Sequence, residues 1–276
     1  MSASTSASEP KVTVENKKVN KRVIIGLPGS TFSNNFLVSW TQSLYYLWEN
    51  GYQVVVSPAT SSHVTFARMK TLGLNVLRGE DQKAFNGEVE YDVFVSLDSD
   101  MVFTPTMLVE LIESTTTRPV VSGYYLMEDG KNLAVVKEWS DEYFAKNGTF
   151  KFLTLEDVDA WLKDKANTED VEVEVEVPNA DGSSEKKKET RKKLTNKFME
   201  VSYAGMGFFA CRKEVLDSLK YPFFDAPLQR IKGPDGKTLV DVCSEDVAFA
   251  KNLRAAGYTV QLHMGLRVGH EKSVVL

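Results

Sequence analysis

The sequence predicts an α/β fold: a mainly parallel central sheet with flanking helices, interrupted by an inserted helix and hairpin subdomain. Three observations carry this. Between residues 22 and 127, short apolar runs alternate with helical patterns in a β-α-β-α-β order. One of these runs, Val93, Phe94, Val95 and Leu97, has the composition of a strand buried on both faces and ends in Asp98-Ser99-Asp100. Residues 128–197 then change character, with V-E-V-E-V-E-V at 171–177 alternating strictly between an apolar and an acidic face.

Arg22 to Leu27 is the first strand, followed by Pro28-Gly29-Ser30. A strand ending in a Gly/Pro loop early in an α/β domain often faces a nucleotide. No Gly-Lys-Ser/Thr follows, so it is not a Walker loop. Phe36 to Asn50 reads as an amphipathic helix with Phe36, Trp40, Leu44, Leu47 and Trp48 on its core face, Asn34 or Asn35 as cap and Gly51 as stop. Tyr52 to Ser57 is the second strand. Ser61 to Leu72 is a helix carrying His63 and Arg68, an arginine that helical context alone would place in solvent.

The acid-tipped strand comes next. Strand side chains alternate, so a regular continuation would point Asp98 and Asp100 the same way. Two converging carboxylates repel unless a cation sits between them, and Mg²⁺ or Mn²⁺ takes such oxygen ligands together with substrate phosphates. Thr104 and Pro105 then open a helix as N-cap and N1. The spacing alone is weak: Asp157-Val158-Asp159 repeats it inside T-L-E-D-V-D-A-W-L-K, where the acids read as solvated helix residues.

Residues 119–125 form another buried strand. The acidic strand 171–177, a turn over 178–184 and the basic return E-K-K-K-E-T-R-K-K predict a solvated hairpin with Glu172, Glu174 and Glu176 opposite Lys and Arg. Ala204 to Ala210 is small and apolar, and Gly205-Met206-Gly207 signals close approach by a ligand or another strand. Arg212 to Leu219 is a helix. Ser244 caps a helix over 245–256 with Glu245 and Asp246 in its first turn, and Val247, Ala250 and Leu253 form its buried stripe. Tyr258 to His263 is a strand, and Gly269-His270-Glu271-Lys272 follows.

The chain has 276 residues, 42% hydrophobic and 26% charged, an ordinary globular balance. A net charge of −5 argues against a general nucleic-acid binder. No apolar run is long enough to span a bilayer, and the N-terminus lacks a signal-peptide core. Residues 1–20 are expected to be a disordered polar tail. Cys211 and Cys243 lack metal spacing and are expected to be buried free thiols in a cytoplasmic protein.

Taken in order, L-D-S-D at a strand end, G-M-G-F-F-A-C-R-K-E-V-L, S-E-D-V-A-F at a helix start and a late G-H-E resemble the nucleotide-sugar-dependent glycosyltransferases of the Rossmann-like GT-A fold. The match covers residues 22–127 and 198–272 and looks closest to the small stand-alone transferases of phages and large viruses. The resemblance implies one catalytic domain over 21–276, with 128–197 inserted and without a counterpart in the family. It implies transfer of a sugar from a UDP- or GDP-linked donor to a hydroxyl acceptor on a glycan or glycoprotein, with Mn²⁺ or Mg²⁺ as cofactor. Asp100 would ligate the cation, Asp98 the cation or the donor ribose, and His270 would complete the metal shell. Pro28, Gly29, Arg68 and Ser99 lie where the family holds the nucleotide, and Gly205-Met206-Gly207 would line the donor sugar. Glu245-Asp246 matches the pair from which inverting members draw a general base. Without the family order, these two acids read as first-turn helix acids and His270 as a surface histidine. A nucleotidyltransferase acting on sugar phosphates is the competing enzyme class, but P-G-S-T-F-S-N-N lacks the basic residue of its loop. A non-catalytic sugar-binding module is the third reading.

Overall fold

The structure is a computed structural model, which describes residues 20–178, 184–225 and 228–272. The expected N-terminal tail, apart from Asn20, and the tip of the 178–184 turn lie outside the described residues.

The first half alternates as the sequence predicts: β1 (Arg22–Pro28), α1 (Asn34–Glu49), β2 (Gln53–Ala59), α2 (Val64–Thr71), β3 (Val93–Leu97), β4 (Met101–Val102), α3 (Pro105–Ser114) and β5 (Val120–Tyr124). The middle holds β6 (Val135–Val136), α4 (Asp141–Asn147), α5 (Leu155–Lys163), β7 (Thr168–Pro178) and β8 (Ser184–Leu194). The chain then returns through β9 (Phe198–Val201), β10 (Tyr203–Ala204), β11 (Phe208–Arg212), α6 (Lys213–Asp217), β12 (Leu228–Lys232), β13 (Thr238–Val242), α7 (Glu245–Ala255), β14 (Val260–Arg267) and β15 (Gly269–His270).

The main sheet has seven strands in the order β2-β1-β3-β11-β5-β14-β9. β2, β1, β3, β5 and β14 share one direction, and β11 and β9 run against it. The sheet is therefore mainly parallel, with a reversed strand at its centre. Alternation along the strands separates two apolar layers. Val23, Ile25, Val95, Leu97, Val121 and Phe208 pack on α1 and α3 through Phe36, Leu47, Leu108 and Leu111. Ile24, Phe94, Val120, Phe209 and Leu262 face the other way, toward α2, α6 and α7, with Met69, Leu216, Phe249 and Leu253. Helices on both faces bury the central strands completely, which is why these strands are continuous apolar runs.

Local signals hold in most places. Thr104 caps α3 through Met107 N–H with Pro105 following, and Thr154 and Asp157 form the reciprocal capping box of α5. The cap of α1 is Ser33, whose hydroxyl accepts from Phe36 N–H, not Asn34 or Asn35. Its core face is Phe36, Ser39, Ser43 and Leu47, while Trp48 is 56% exposed. Trp48 lies one position past Leu47, about 100° around the axis, and so faces away from the sheet. Both cysteines are buried, and neither forms a disulfide.

β7 and β8 form a two-stranded ribbon in full antiparallel register. Its acidic strand meets its basic strand in exposed pairs: Glu169–Lys193 (3.0 Å), Asp170–Lys192 (2.7 Å) and Glu172–Lys188 (3.0 Å). No residue of 169–194 belongs to a core cluster among the described residues. Each exposed pair adds about 0–1 kcal/mol. Replacing residues 170–192 with a short Gly/Ser turn should therefore change the unfolding free energy by less than about 1 kcal/mol in urea titration. Loss of the cooperative transition would show that the ribbon supports the core.

Candidate functional site

β3 delivers Asp98 and Asp100 to one end of the sheet, but the strand stops at Leu97. Asp98 N–H donates to the Gly207 carbonyl at 3.0 Å, and Met101 N–H returns to the Asp98 carbonyl at 3.3 Å. The backbone turns between the two acids, so strand alternation no longer applies and their carboxylates take separate partners. This corrects the expectation that both point the same way.

Asp98 turns to Arg68. The Arg68 Nη2 lies 3.1 Å from Asp98 Oδ1, Nη1 donates to Ser96 Oγ at 3.1 Å, and Nε donates to Glu245 Oε1 at 3.2 Å. Arg68 is 4% exposed, so it is a buried cation and not the solvated helix residue its position suggests. Burial alone would lower its pKa, but the charges of Asp98, Glu245 and Asp246 outweigh that and raise it. The planar fork of the guanidinium suits this task, since its donors diverge in fixed directions toward three acceptors. Arg68 does not line the cavity described below.

Asp100 turns the other way, toward the last described segment. β15 pairs with β4, setting His270 opposite Met101, and Glu271 N–H donates to the Asp100 carbonyl at 2.9 Å. The Asp100 Oδ2 receives Lys272 Nζ at 2.7 Å and lies 3.3 Å from His270 Nε2. Burial would raise the Asp100 pKa, but hydrogen bonds from His270 and Lys272 prevail and hold it at about 2. The other ring nitrogen, His270 Nδ1, is 2.8 Å from the Leu126 carbonyl, which can only accept. Nδ1 therefore carries a proton, and Nε2 is the ring nitrogen that faces Asp100.

At the start of α7, Glu245 meets Arg68 and Asp246 meets Tyr203. The Tyr203 hydroxyl donates to Asp246 Oδ2 at 2.9 Å, while Ser244 Oγ and the Val247 N–H (2.9 Å) donate to Oδ1. Ser244 occupies the cap position, but its hydroxyl serves Asp246 and not a helix N–H. Burial, with Asp246 next to it, raises the Tyr203 pKa well above its ordinary value and keeps the phenol protonated as a donor.

The glycines at 205 and 207 have a local cause. Gly205, Met206 and Gly207 are all buried. Tyr125 lies across both glycines: its hydroxyl accepts from Gly207 N–H at 3.1 Å, and a Cβ on Gly207 would stand 2.9 Å from that oxygen. The close approach predicted there is made by this tyrosine. Gly29, at φ 141°, packs against Ser99, and Ser33 N–H donates to the Ser99 carbonyl at 3.1 Å. These contacts bring the Pro28-Gly29 loop, the start of α1 and Ser99 together beside an open cavity of about 420 Å³. Thr31, Phe32, Ser33, Ser99, Asp100 and Lys272 line it.

Thus Asp98, Arg68 and Glu245 form one cluster, Asp100 and His270 a second, and Asp246 stands with Tyr203. Among the described residues, no group of three or more His, Cys, Asp or Glu side chains is gathered as a metal site. Asp100 and His270 supply two. Sequence reading passed over Tyr125, Tyr203 and Lys272. Lys272 had a signal, two positions beyond His270; the tyrosines had none, because only the fold carries them to the site.

Removing Arg68 would leave Asp98 and Glu245 facing each other without a counter-ion. Arg68→Met should destabilise the fold by about 3–5 kcal/mol in urea titration. Arg68→Lys should recover only part, because a single ammonium cannot span three acceptors. A stable Arg68→Met protein would show that the cluster opens to water.

No known protein family matches the sequence, and no curated protein does. Among solved structures the chain is similar to A197 from STIV, at TM-score 0.43 and 15% identity over 93% of this chain and 96% of that one. It is also similar to GalNAc-T7, solved with UDP, GalNAc and Mn²⁺, at TM-score 0.43 and 11% identity over 94% of this chain and 45% of that one. No family assignment follows from either likeness.

Proposed function

We propose that the chain is a metal-dependent glycosyltransferase of GT-A type that moves a sugar from a nucleoside-diphosphate donor to a hydroxyl acceptor. The observation that carries this is the meeting, at one end of the sheet, of four acids and a histidine from three distant segments: Asp98 and Asp100 after β3, Glu245 and Asp246 on α7, and His270 beside Asp100. The open cavity lined by Asp100 and Ser99, beside the Pro28-Gly29 loop, supports the reading that the donor's nucleotide would bind there.

The donor set at Asp100 fits a hard divalent cation. A carboxylate oxygen and an imidazole nitrogen stand 3.3 Å apart. Neighbouring ligands on an octahedral ion with bonds of about 2.1 Å stand roughly 3 Å apart. With two protein ligands, a bound Mn²⁺ or Mg²⁺ would have room for water and diphosphate oxygens, as such ions usually do at phosphate sites. Asp100 and His270 would hold the ion, with Asp98, bound to Arg68, in the adjoining layer. When bound, the cation neutralises charge that develops on the departing diphosphate.

The chain's own groups do the rest. The acceptor oxygen bonds to the anomeric carbon as the bond from that carbon to the diphosphate oxygen breaks. Asp246 takes the acceptor's hydroxyl proton, and Tyr203 and Ser244 fix the carboxylate's direction. Glu245 stays with Arg68 and keeps α7 against the end of β3. Arg68 acts from beneath as a positioning residue, and the buried Gly205-Met206-Gly207 backbone supports Asp98.

Incubation with UDP- and GDP-sugars, Mn²⁺ and hydroxyl acceptors should release nucleoside diphosphate. The absence of release with every donor, or stimulation by sugar 1-phosphates instead, would reject the proposal. Asp246→Asn should lower kcat by about 10²–10⁴ with donor KM nearly unchanged, because the base acts on the acceptor. Glu245→Gln should lower kcat less but reduce stability, since it removes an Arg68 partner. A Glu245→Gln protein that is folded and inactive would exchange the two roles, and retention at the anomeric carbon would remove the base role from both.

A further inference from the structure

Asp100 and His270 are anchored, and Lys272 is not. His270 is held by the Leu126 carbonyl and by the Tyr125 ring, 4.9 Å away edge to face. The Asp100 backbone is tied to Glu271. Lys272, by contrast, is 38% exposed at its side chain and reaches Asp100 across the rim of the open cavity. Its ammonium occupies the same Oδ2 that faces His270 Nε2. A divalent ion bound to that oxygen and an ammonium 2.7 Å from it would be like charges in near contact, so both cannot hold Asp100 together.

We propose that Lys272 is the resident counter-ion of the Asp100–His270 pair, and that it and a divalent cation hold Asp100 in alternation. The proposal rests on the reading above that these two residues bind the cation. A nucleoside diphosphate in the adjoining cavity offers Lys272 a new anion. Diphosphate binding then draws the ammonium off Asp100 and opens the carboxylate to the ion. Coupling of this kind is reciprocal: the ion strengthens diphosphate binding by the same factor. Without the diphosphate the chain keeps its own cation in place and binds the metal weakly.

The test is Mn²⁺ titration of the full chain, read as free Mn²⁺ by electron paramagnetic resonance, with and without UDP or GDP. Wild type should bind Mn²⁺ weakly alone and about tenfold or more tightly with the nucleotide. Lys272→Met should bind Mn²⁺ alone about tenfold more tightly than wild type, and the strengthening by nucleotide should shrink by about the same factor, leaving what the diphosphate oxygens contribute directly. Lys272→Gln should behave the same way, and circular dichroism should show both variants folded. Unchanged or weaker Mn²⁺ binding by the folded variants without nucleotide would overturn the alternation. Asp100→Asn separates the two levels of the argument. If it binds Mn²⁺ as wild type does, or if no protein binds Mn²⁺ even with nucleotide, the metal assignment itself falls and the alternation with it.

Discussion

The guanidinium of Arg68 lies where three segments distant in sequence converge: α2, the end of β3 and the first turn of α7. It neutralises one acid from each of the latter two and bonds Ser96 between them. Without such a cation, Asp98 and Glu245 would be partly desolvated like charges near each other, and α7 could not close on the sheet. The position of Asp246 depends on this indirectly, because it is the next residue on the same helix turn. A buried ion pair thus sets the spacing of acids on two other segments.

A second constraint acts from the opposite side. Tyr125 follows β5, and its ring fills the space over Gly205 and Gly207 while its edge meets His270. One aromatic side chain therefore fixes both the backbone that receives Asp98 N–H and the imidazole beside Asp100. Burial raises its pKa and keeps the phenol neutral, so it adds no charge to a region already crowded with acids. Arg68 and Tyr125 together make the site's geometry a product of packing, which is why the loops between Leu97 and Phe103 can turn sharply without losing their register.

The sheet was legible where periodicity and caps agreed. The apolar run ending at Leu97, the Thr104-Pro105 start and the Thr154–Asp157 box each state their local structure without help from the rest of the chain. Long-range pairing was not legible. Nothing local marks β11 as antiparallel, since strand residues such as Phe208 to Cys211 read alike in either direction. Arg68 was misplaced because helical spacing shows a face but not what lies opposite it; its partners are 30 and 177 residues away. The β12–β13 hairpin carries a turn signal in Gly233-Pro234-Asp235-Gly236, but β12 exposes Leu228 and buries Gln229, so its alternation does not show in residue type. Of the site acids, the positions of Asp98, Asp100, Glu245 and Asp246 near one end of the sheet followed from strand ends and helix starts. Their separate pairings followed only from the turn at Ser99.

The reversed central strand has a consequence for how the chain comes to be folded. β3 and β5 lie within the first half of the sequence, yet they do not touch in the sheet: β11 fills the gap between them. During synthesis, at about 5–20 residues per second, β1, β2 and β3 emerge as one group and β5 as another, separated by an open seam. Each group presents an unpaired inner edge of apolar residues until residues 208–212 leave the ribosome. Such pairings, distant in sequence, are slow to form and leave sticky edges in the meantime. The ribbon and helices of the middle segment are made during that interval, so the nascent chain must pass through them before its core can close.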